Sequence, residues 1–316
     1  MIKINLSYVL TTYNKFAYLN EVIKFLIQEC KGDEEIIVVD GGSTDGTVEL
    51  LSLLFEEGKI HQLVSERDFG EAHGFNKGIL IAKGEIIKLM TDDDVFDFEI
   101  IRKCKEYLIQ NPNVDVMFAN TASINSALES SDLIMAKNYQ VWFENWKNGN
   151  SKNCFICCLP LIVRRRSFTY IGLFDTSFKH ADFEYSVRLT SKKVNVAFCT
   201  GLMVCAVMNV NSISYREGNV VDNEIKRVSG NYDYIYPVGP MPILIKKKSN
   251  RFYNRLHKMI RPKNTKEHIE NYPDFNYPLE KNMVTAELAP LHKRLTEIMR
   301  AYNENNKPAF LENIKY

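Results

Sequence analysis

Along the first 120 residues the chain alternates between two hydrophobic rhythms. Short β-branched or near-continuous apolar runs occupy Leu6–Thr12, Glu35–Asp40, Ile60–Ser65 and Glu85–Met90. Between them apolar residues recur at helical spacing: Leu19, Val22, Ile23, Leu26 and Ile27 within Phe16–Cys30, then Val48, Leu51 and Leu54, then Ala72, Phe75, Ile79 and Ala82. Runs that are apolar on both faces are what a parallel sheet covered by helices requires. Strands separated by helices of this length predict right-handed βαβ units and an open, Rossmann-like, mostly parallel sheet flanked by helices. Gly41-Gly42-Ser43-Thr44-Asp45 supplies a turn and a capping residue ahead of the second helix.

The regularity fades after Asn120. Residues 121–150 read as polar and loop-like, with Trp142 and Trp146 on a short helix, and Phe155–Val163 reads as a strand. Arg164-Arg165-Arg166 then reads as a solvated turn, with contact to a phosphate-bearing ligand as the sharper alternative. Residues 182–193 look helical and 194–208 extended. From about Tyr236 the composition shifts: Pro237, Pro240 and Pro242 precede Lys246-Lys247-Lys248 and the basic residues Arg251, Arg255, Lys258 and Arg261. Three regions follow from these changes, 1–120, 121–235 and a C-terminal extension at 236–316. Within 246–263, Ile245, Phe252, Tyr253, Leu256, Met259 and Ile260 interleave with the charges. That pattern suits a helix lying on anionic lipid, and equally a helix docked on the rest of the chain.

Composition narrows the classes. Hydrophobic residues make up 45% and charged residues 25%, ordinary globular usage. Forty basic against thirty-nine acidic residues leave a net charge of +1, so no global field points to nucleic acid, and none is expected as a partner. Met1–Asn5 leads into an apolar run that turns polar by Thr11-Thr12, too short for export, and no window reaches the ~20 apolar residues of a membrane helix. The expected location is the cytoplasm, extending to the inner face of the membrane if 246–263 binds lipid. Cys154, Cys157 and Cys158 lack a second Cys or His pair at zinc spacing, and their apolar neighbours read as packing. His73 and His180 read as hydrogen-bonded structural residues.

In open α/β sheets ligands bind beyond the carboxyl ends of the strands. Three polar clusters fall at such ends: Thr12-Tyr13-Asn14, Asp40-Gly41-Gly42 and Thr91-Asp92-Asp93-Asp94. A single carboxylate after a strand is as often a helix cap. Three adjacent aspartates repel one another unless a cation or water screens them, and Mg²⁺ or Mn²⁺ held by one or two carboxylates plus substrate phosphates fits that need.

These clusters occur in a recognisable order. Val9-Leu10-Thr11-Thr12-Tyr13-Asn14, Ile37-Val38-Val39-Asp40-Gly41-Gly42-Ser43-Thr44-Asp45-Gly46-Thr47, Asn76-Lys77-Gly78-Ile79, Ala82-Lys83-Gly84-Glu85-Ile86-Ile87 and Thr91-Asp92-Asp93-Asp94 together resemble the opening of inverting family 2 glycosyltransferases with the GT-A fold. A later block resembles the family's acceptor-side motif: Ile171-Gly172-Leu173-Phe174-Asp175, then Ala181-Asp182-Phe183-Glu184-Tyr185 and Arg188-Leu189.

The resemblance implies a role for each position. Thr12 and Tyr13 would pack against the nucleotide base and Asp40 would hydrogen-bond it, with Asp68 nearby. Asp92 would contact the ribose side, Asp93 would ligate the cation bridging the diphosphate, and Asp94 would support the sugar or the loop. Asp182 would be the catalytic base. The chain departs from commoner patterns at Thr91 (often Asp), Phe75 (often Arg) and Ala181 (often acidic). On this resemblance residues 1–120 form the nucleotide-sugar-binding half of one GT-A domain and 121–235 its acceptor-binding, catalytic half. The expected activity is metal-dependent, inverting transfer of a sugar from a nucleoside-diphosphate donor, UDP by default, to a hydroxyl of a glycan or glycolipid acceptor, in bacterial surface polysaccharide or lipooligosaccharide synthesis. The alternatives are a sugar nucleotidyltransferase and a non-catalytic nucleotide-sugar-binding module. A nucleotidyltransferase wants a Gly-rich loop with Arg or Lys after the first strand, where this chain has Thr-Tyr-Asn-Lys.

Overall fold

Alternation along each strand sorts its side chains into two layers. A computed structural model describes residues 3–125, 134–135, 138–192, 194–208, 221–234 and 288–314. In it β1 (Leu6–Thr12), β2 (Glu34–Asp40), β3 (Gln62–Ser65) and β4 (Ile86–Met90) pair in parallel in the order β4-β1-β2-β3. Leu6, Tyr8, Leu10, Ile36, Val38, Ile86 and Met90 point into one core, together with Leu19, Val22, Ile23 and Leu26 of α1 (Phe16–Glu29) and Leu51 of α2 (Thr47–Glu56). Val9, Ile37, Val39, Ile87 and Leu89 point into the other, against Phe75 and Ile79 of α3 (Glu71–Ile81). Both faces are covered, which is why the middles of these strands are apolar apart from the buried Lys88 of β4.

The polar positions at the amino ends of β1 and β2 pair with one another and with Lys105. Ser7 Oγ donates to Glu35 Oε1 (2.6 Å), Tyr8 Oη donates to Glu34 Oε2 (3.1 Å), and Lys105 Nζ donates to Glu34 Oε1 (2.7 Å). These buried carboxylates are satisfied at the end of the sheet opposite the ligand crevice.

Past β4 the topology becomes mixed. The turn at 91–94 leads through β5 (Val95–Phe96) to α4 (Phe98–Gln110), capped by Asp97, whose Oδ1 accepts from Glu99 N (2.9 Å) and Ile100 N (3.2 Å). β6 (Val116–Asn125), β7 (Ile134–Met135), α5 (Asn138–Lys147), β8 (Ile162–Arg164), the short α6 (Phe168–Ile171), α7 (Ala181–Ser191) and β9 (Val196–Met208) follow. With β10 (Phe310–Asn313) at the edge, the order is β10-β9-β6-β8-β4-β1-β2-β3; β8 lies antiparallel between β4 and β6, and β6 and β9 are parallel to each other.

Three sequence readings change here. Within Phe155–Val163 the described strand begins only at Ile162. Pro160 lacks an N–H, and the preceding segment is tied to α7 instead: Cys154 N donates to Thr190 Oγ1 (3.0 Å) and Ile156 N to Ser186 Oγ (3.3 Å). Arg164 is no solvated residue; it is 1% exposed. Its guanidinium donates to Glu85 Oε1 (2.7 Å) and to the carbonyls of Val114 (3.0 Å) and Leu108 (2.6 Å), closing α4 onto the sheet. Residues after 120 are strand through Asn125 rather than loop.

Of the C-terminal region, α8 (Val221–Tyr232) packs on α7, α9 (Leu288–Asn305) on α1 and β9, and β10 (Phe310–Asn313) pairs antiparallel with β9. Asn303 bonds both Leu202 N (2.8 Å) and Leu202 O (2.9 Å). Among the described residues no helix is long and apolar enough to cross a membrane. The basic stretch 246–263 lies outside the described residues.

Candidate functional site

The carboxyl ends of β1, β2 and β4 open onto one crevice, and the loops there are stitched to one another. Gly41 N donates to Thr12 O (2.9 Å), Asn14 N to Ser43 Oγ (2.8 Å), Thr44 N to Asn14 Oδ1 (2.8 Å) and Phe16 N to Asp45 Oδ2 (2.9 Å). Asn14 sits at φ 50°, a left-handed conformation that asparagine tolerates. Asp40 is buried and accepts from Gly42 N (3.0 Å), Ser43 N (3.0 Å) and Ser65 Oγ (2.8 Å). It therefore organises its own turn, with its carboxylate oxygens shared among three donors. Asp68 packs over the same floor: a Cβ on Gly41 would lie 3.1 Å from Asp68 Oδ1, so glycine is what lets the two loops approach. Tyr13 stands at the lip, 58% exposed.

The acidic run divides its labour. Asp94 turns inward, accepting from Thr91 Oγ1 (2.5 Å) and from Val207 N of β9 (2.8 Å), so it braces the turn. Asp92 accepts from Thr12 Oγ1 (2.8 Å) and pairs with Lys15 Nζ (3.3 Å), while Lys15 also bonds Asp93 directly. Burial outweighs the help of Lys15 and pushes Asp92 up to about 6; burial together with the charge of Asp93 pushes Asp94 up to about 7.

A further carboxylate joins this group. Glu71, half-buried at the start of α3, is pushed up to about 8 by burial and then by the charge of Asp182, with Asp92 and Asp93 adding to the effect and Lys15 opposing it. Glu71 thus stands within electrostatic reach of the acidic run and of Asp182 together. Its sequence signal was only that of an acid in a first helical turn, which is common on dipole grounds alone.

Asp182 is the second residue of α7, and its Oδ1 accepts from Phe183 N (2.8 Å). Burial raises its pKa and nearby His180 tempers the rise. The segment before it is clamped from α8. Glu224, buried, accepts from Lys179 N (2.6 Å) and His180 N (3.0 Å), and its Oε2 lies 2.9 Å from His180 Nδ1. His180 therefore has the structural hydrogen bond its sequence context suggested. His73 also has one, accepting from Phe69 N (3.2 Å).

Rings complete this wall: Phe155 with Phe183 (5.1 Å), Phe183 with Tyr234 (5.4 Å) and Phe174 with Tyr185 (4.2 Å). Phe75 is a core residue whose ring lies tilted by 38° at 5.8 Å from that of Phe174. Asn76 joins the two walls, donating to Phe174 O (2.8 Å) and accepting from Phe174 N (2.9 Å). The CxxCC thiols at 154, 157 and 158 are free, and burial raises all three above the ordinary thiol range.

Among the described residues no group of three or more His, Cys, Asp or Glu is disposed to hold a metal by itself. Asp94 is spent on the turn, which leaves Asp92 and Asp93. One or two carboxylates completed by substrate phosphates is a donor set that suits Mg²⁺ or Mn²⁺, so the residues fit such an ion in the company of a diphosphate.

The chain resembles known proteins in sequence and in fold. The family model "Glycosyl transferase family 2" matches residues 7–171. The chain is 31% identical over 116 residues to glycosyltransferase GlyG of Streptococcus pneumoniae, a match spanning 36% of this chain and 38% of that protein. It is 25% identical over 230 residues to a PGL/p-HBAD biosynthesis glycosyltransferase of Mycobacterium bovis, covering 70% of this chain and 83% of that one. Over 229 residues it is 21% identical to the Escherichia coli UDP-Glc:alpha-D-GlcNAc-diphosphoundecaprenol beta-1,3-glucosyltransferase WfgD, covering 72% and 84%. Among solved structures it resembles S. aureus TarS 1–349 in complex with UDP-GlcNAc, with a TM-score of 0.51 at 15% identity over 73% of this chain and 68% of that one. It also resembles mannosyltransferase PcManGT from Pyrobaculum calidifontis in complex with GDP-Man and Mn²⁺, with a TM-score of 0.54 at 17% identity over 71% and 64%. The fold is the GT-A arrangement of these transferases.

Proposed function

The chain belongs to glycosyl transferase family 2, and from that premise we propose that it moves a sugar from a nucleoside-diphosphate donor, a UDP-sugar, to an acceptor hydroxyl with inversion at the anomeric carbon. The acceptor class we propose is a bacterial surface glycan or glycolipid; one relative is named for PGL/p-HBAD biosynthesis and another for a GlcNAc-diphosphoundecaprenol substrate. The observation that supports the reading is the tie between the ends of β1 and β4: Thr12 Oγ1 donates to Asp92 (2.8 Å), and Lys15 bonds both Asp92 and Asp93.

In this reading Thr12 and Tyr13 flank the base, Asp40 and Asp68 line its floor, and Asp92 meets the ribose. Asp93, with Asp92 beside it, would hold Mn²⁺ or Mg²⁺. The cation, when bound, neutralises charge on the departing diphosphate, a contribution of several kcal/mol. Asp182 accepts the proton of the acceptor hydroxyl as that oxygen bonds the anomeric carbon from the face opposite the leaving group. The anomeric C–O bond breaks and the nucleoside diphosphate departs with the electron pair. Burial suits Asp182 to this task, because a carboxylate with raised proton affinity is a stronger base. Asp94 supports the turn.

A panel of nucleotide-sugars offered with Mn²⁺ tests transfer directly, and donor binding without transfer would leave only a binding module. Asp182→Asn should cut turnover by about 10²–10⁴-fold while UDP affinity, measured by calorimetry, holds. In the wild type the acid limb of turnover should lie above the ordinary carboxylate value of about 4, since the raised base is protonated sooner as pH falls. Normal turnover in Asp182→Asn sinks the assignment.

A further inference from the structure

We propose that the Lys15 ammonium is the resident counter-cation of the Asp92–Asp93 pair, that a divalent cation displaces it from that seat, and that it then serves the donor's diphosphate. The inference rests on the transferase reading above and adds a residue and an exchange to it.

The position of Lys15 is hard to explain by the helix it begins. Lys15 is the N-cap of α1 and makes no side-chain cap bond, and the first turn of that helix holds no acidic residue. An ammonium there faces the positive end of the helix dipole, an unfavourable place for a cation. What holds it lies across the crevice. Lys15 Nζ is 3.3 Å from Asp92 Oδ1 and bonds Asp93 Oδ2 directly, with its side chain only 16% exposed.

The exchange follows from geometry. The ammonium touches both carboxylates that the donor set assigns to a cation, so a dication reaching the same oxygens meets it head-on, and like charges do not share a seat. The released side chain need not travel far. Its backbone directly follows Thr12–Asn14, the loop proposed above to flank the donor, and a compact ammonium on a four-carbon stem is a good point-charge partner for phosphate.

Two binding measurements test this, with opposite signs. In calorimetry with MnCl₂ alone, Lys15→Met should bind Mn²⁺ about fivefold tighter than the wild type, because the competing charge is gone. With Mn²⁺ saturating, the same variant should bind UDP about tenfold more weakly, for want of a charge-assisted phosphate contact. Lys15→Arg, which keeps the charge, should stay near the wild type in both. Lys24→Met, which removes a charge from the exposed pair with Glu21 on the same helix, should leave Mn²⁺ binding unchanged. Unchanged Mn²⁺ affinity in Lys15→Met overturns the proposal whatever happens to UDP, and so does an equal gain in Lys24→Met. The cation arm needs no nucleotide, so it judges Lys15 separately. A folded wild type that binds UDP and GDP neither with nor without Mn²⁺ counts instead against the proposed function.

Discussion

The two walls of the cleft are built by opposite means. The wall proposed to hold the donor uses strand ends that are already neighbours in the sheet. Thr12, Asp40 and the 91–94 turn follow β1, β2 and β4; Thr12 bonds Asp92 and Asp40 bonds its own turn, and Asp94 alone reaches across to Val207 N of β9. The Asp182 wall uses rings and distant partners: Phe155 against Phe183, and Glu224 reaching back 45 residues to Lys179 N. The first wall is a property of the sheet. The second depends on α8 arriving in place, so the position of the proposed base can be disturbed without touching the proposed donor site.

The largest test of that contrast is Asp40→Ala. It removes one acceptor from three donors at once, and each buried donor left unmet costs about 1–3 kcal/mol. The melting temperature should fall, and UDP affinity should drop more than about tenfold, since each 1.4 kcal/mol is a factor of ten. Unchanged values of both would mean that strand register alone holds the turn. Glu224→Gln should act on the other wall only. An amide accepts through one oxygen, so one of the two backbone N–H groups loses its partner. Turnover should fall about tenfold, less than the hundredfold a displacement of 1 Å can cost, with UDP affinity unchanged. A matching loss of UDP affinity would merge the two walls into one unit. The smallest effects belong to Arg165→Ala and Arg166→Ala, both exposed beside the buried Arg164. Turnover in each should stay within about twofold of the wild type; a larger drop would revive a phosphate-bearing acceptor at that turn.

What could be read from the chain follows the same division. The first four strands and three helices were legible because a sheet covered on both faces demands unbroken apolar runs, and those runs end where the polar clusters begin. Past residue 120 that logic weakens. Phe155–Val163 is as apolar as a strand, yet hydroxyls of α7 hold its first part elsewhere. Arg164 looked like its two neighbours because the carbonyls that bury it belong to α4 and the turn after it. Lys15 and Glu224 carry no local signature at all; their partners lie 78 and 45 residues away. Glu71 is the plainest case. Nothing marks an acid at a helix start as part of a site until the fold sets a second carboxylate cluster opposite it.

The short strand β10 has a consequence in time. It covers the outer edge of β9 at Val196–Cys199, pairing Phe310 with Cys199 and Asn313 with Val196. An uncovered strand edge is a template for pairing with another chain. During synthesis β9 emerges before β10, and β5 covers that edge only farther along, at Val204 and Cys205, so among the described residues the stretch Val196–Cys199 waits for residues 310–313. Every nascent copy therefore passes through an interval in which its β9 edge depends on chaperones, dilution or speed rather than on its own sequence.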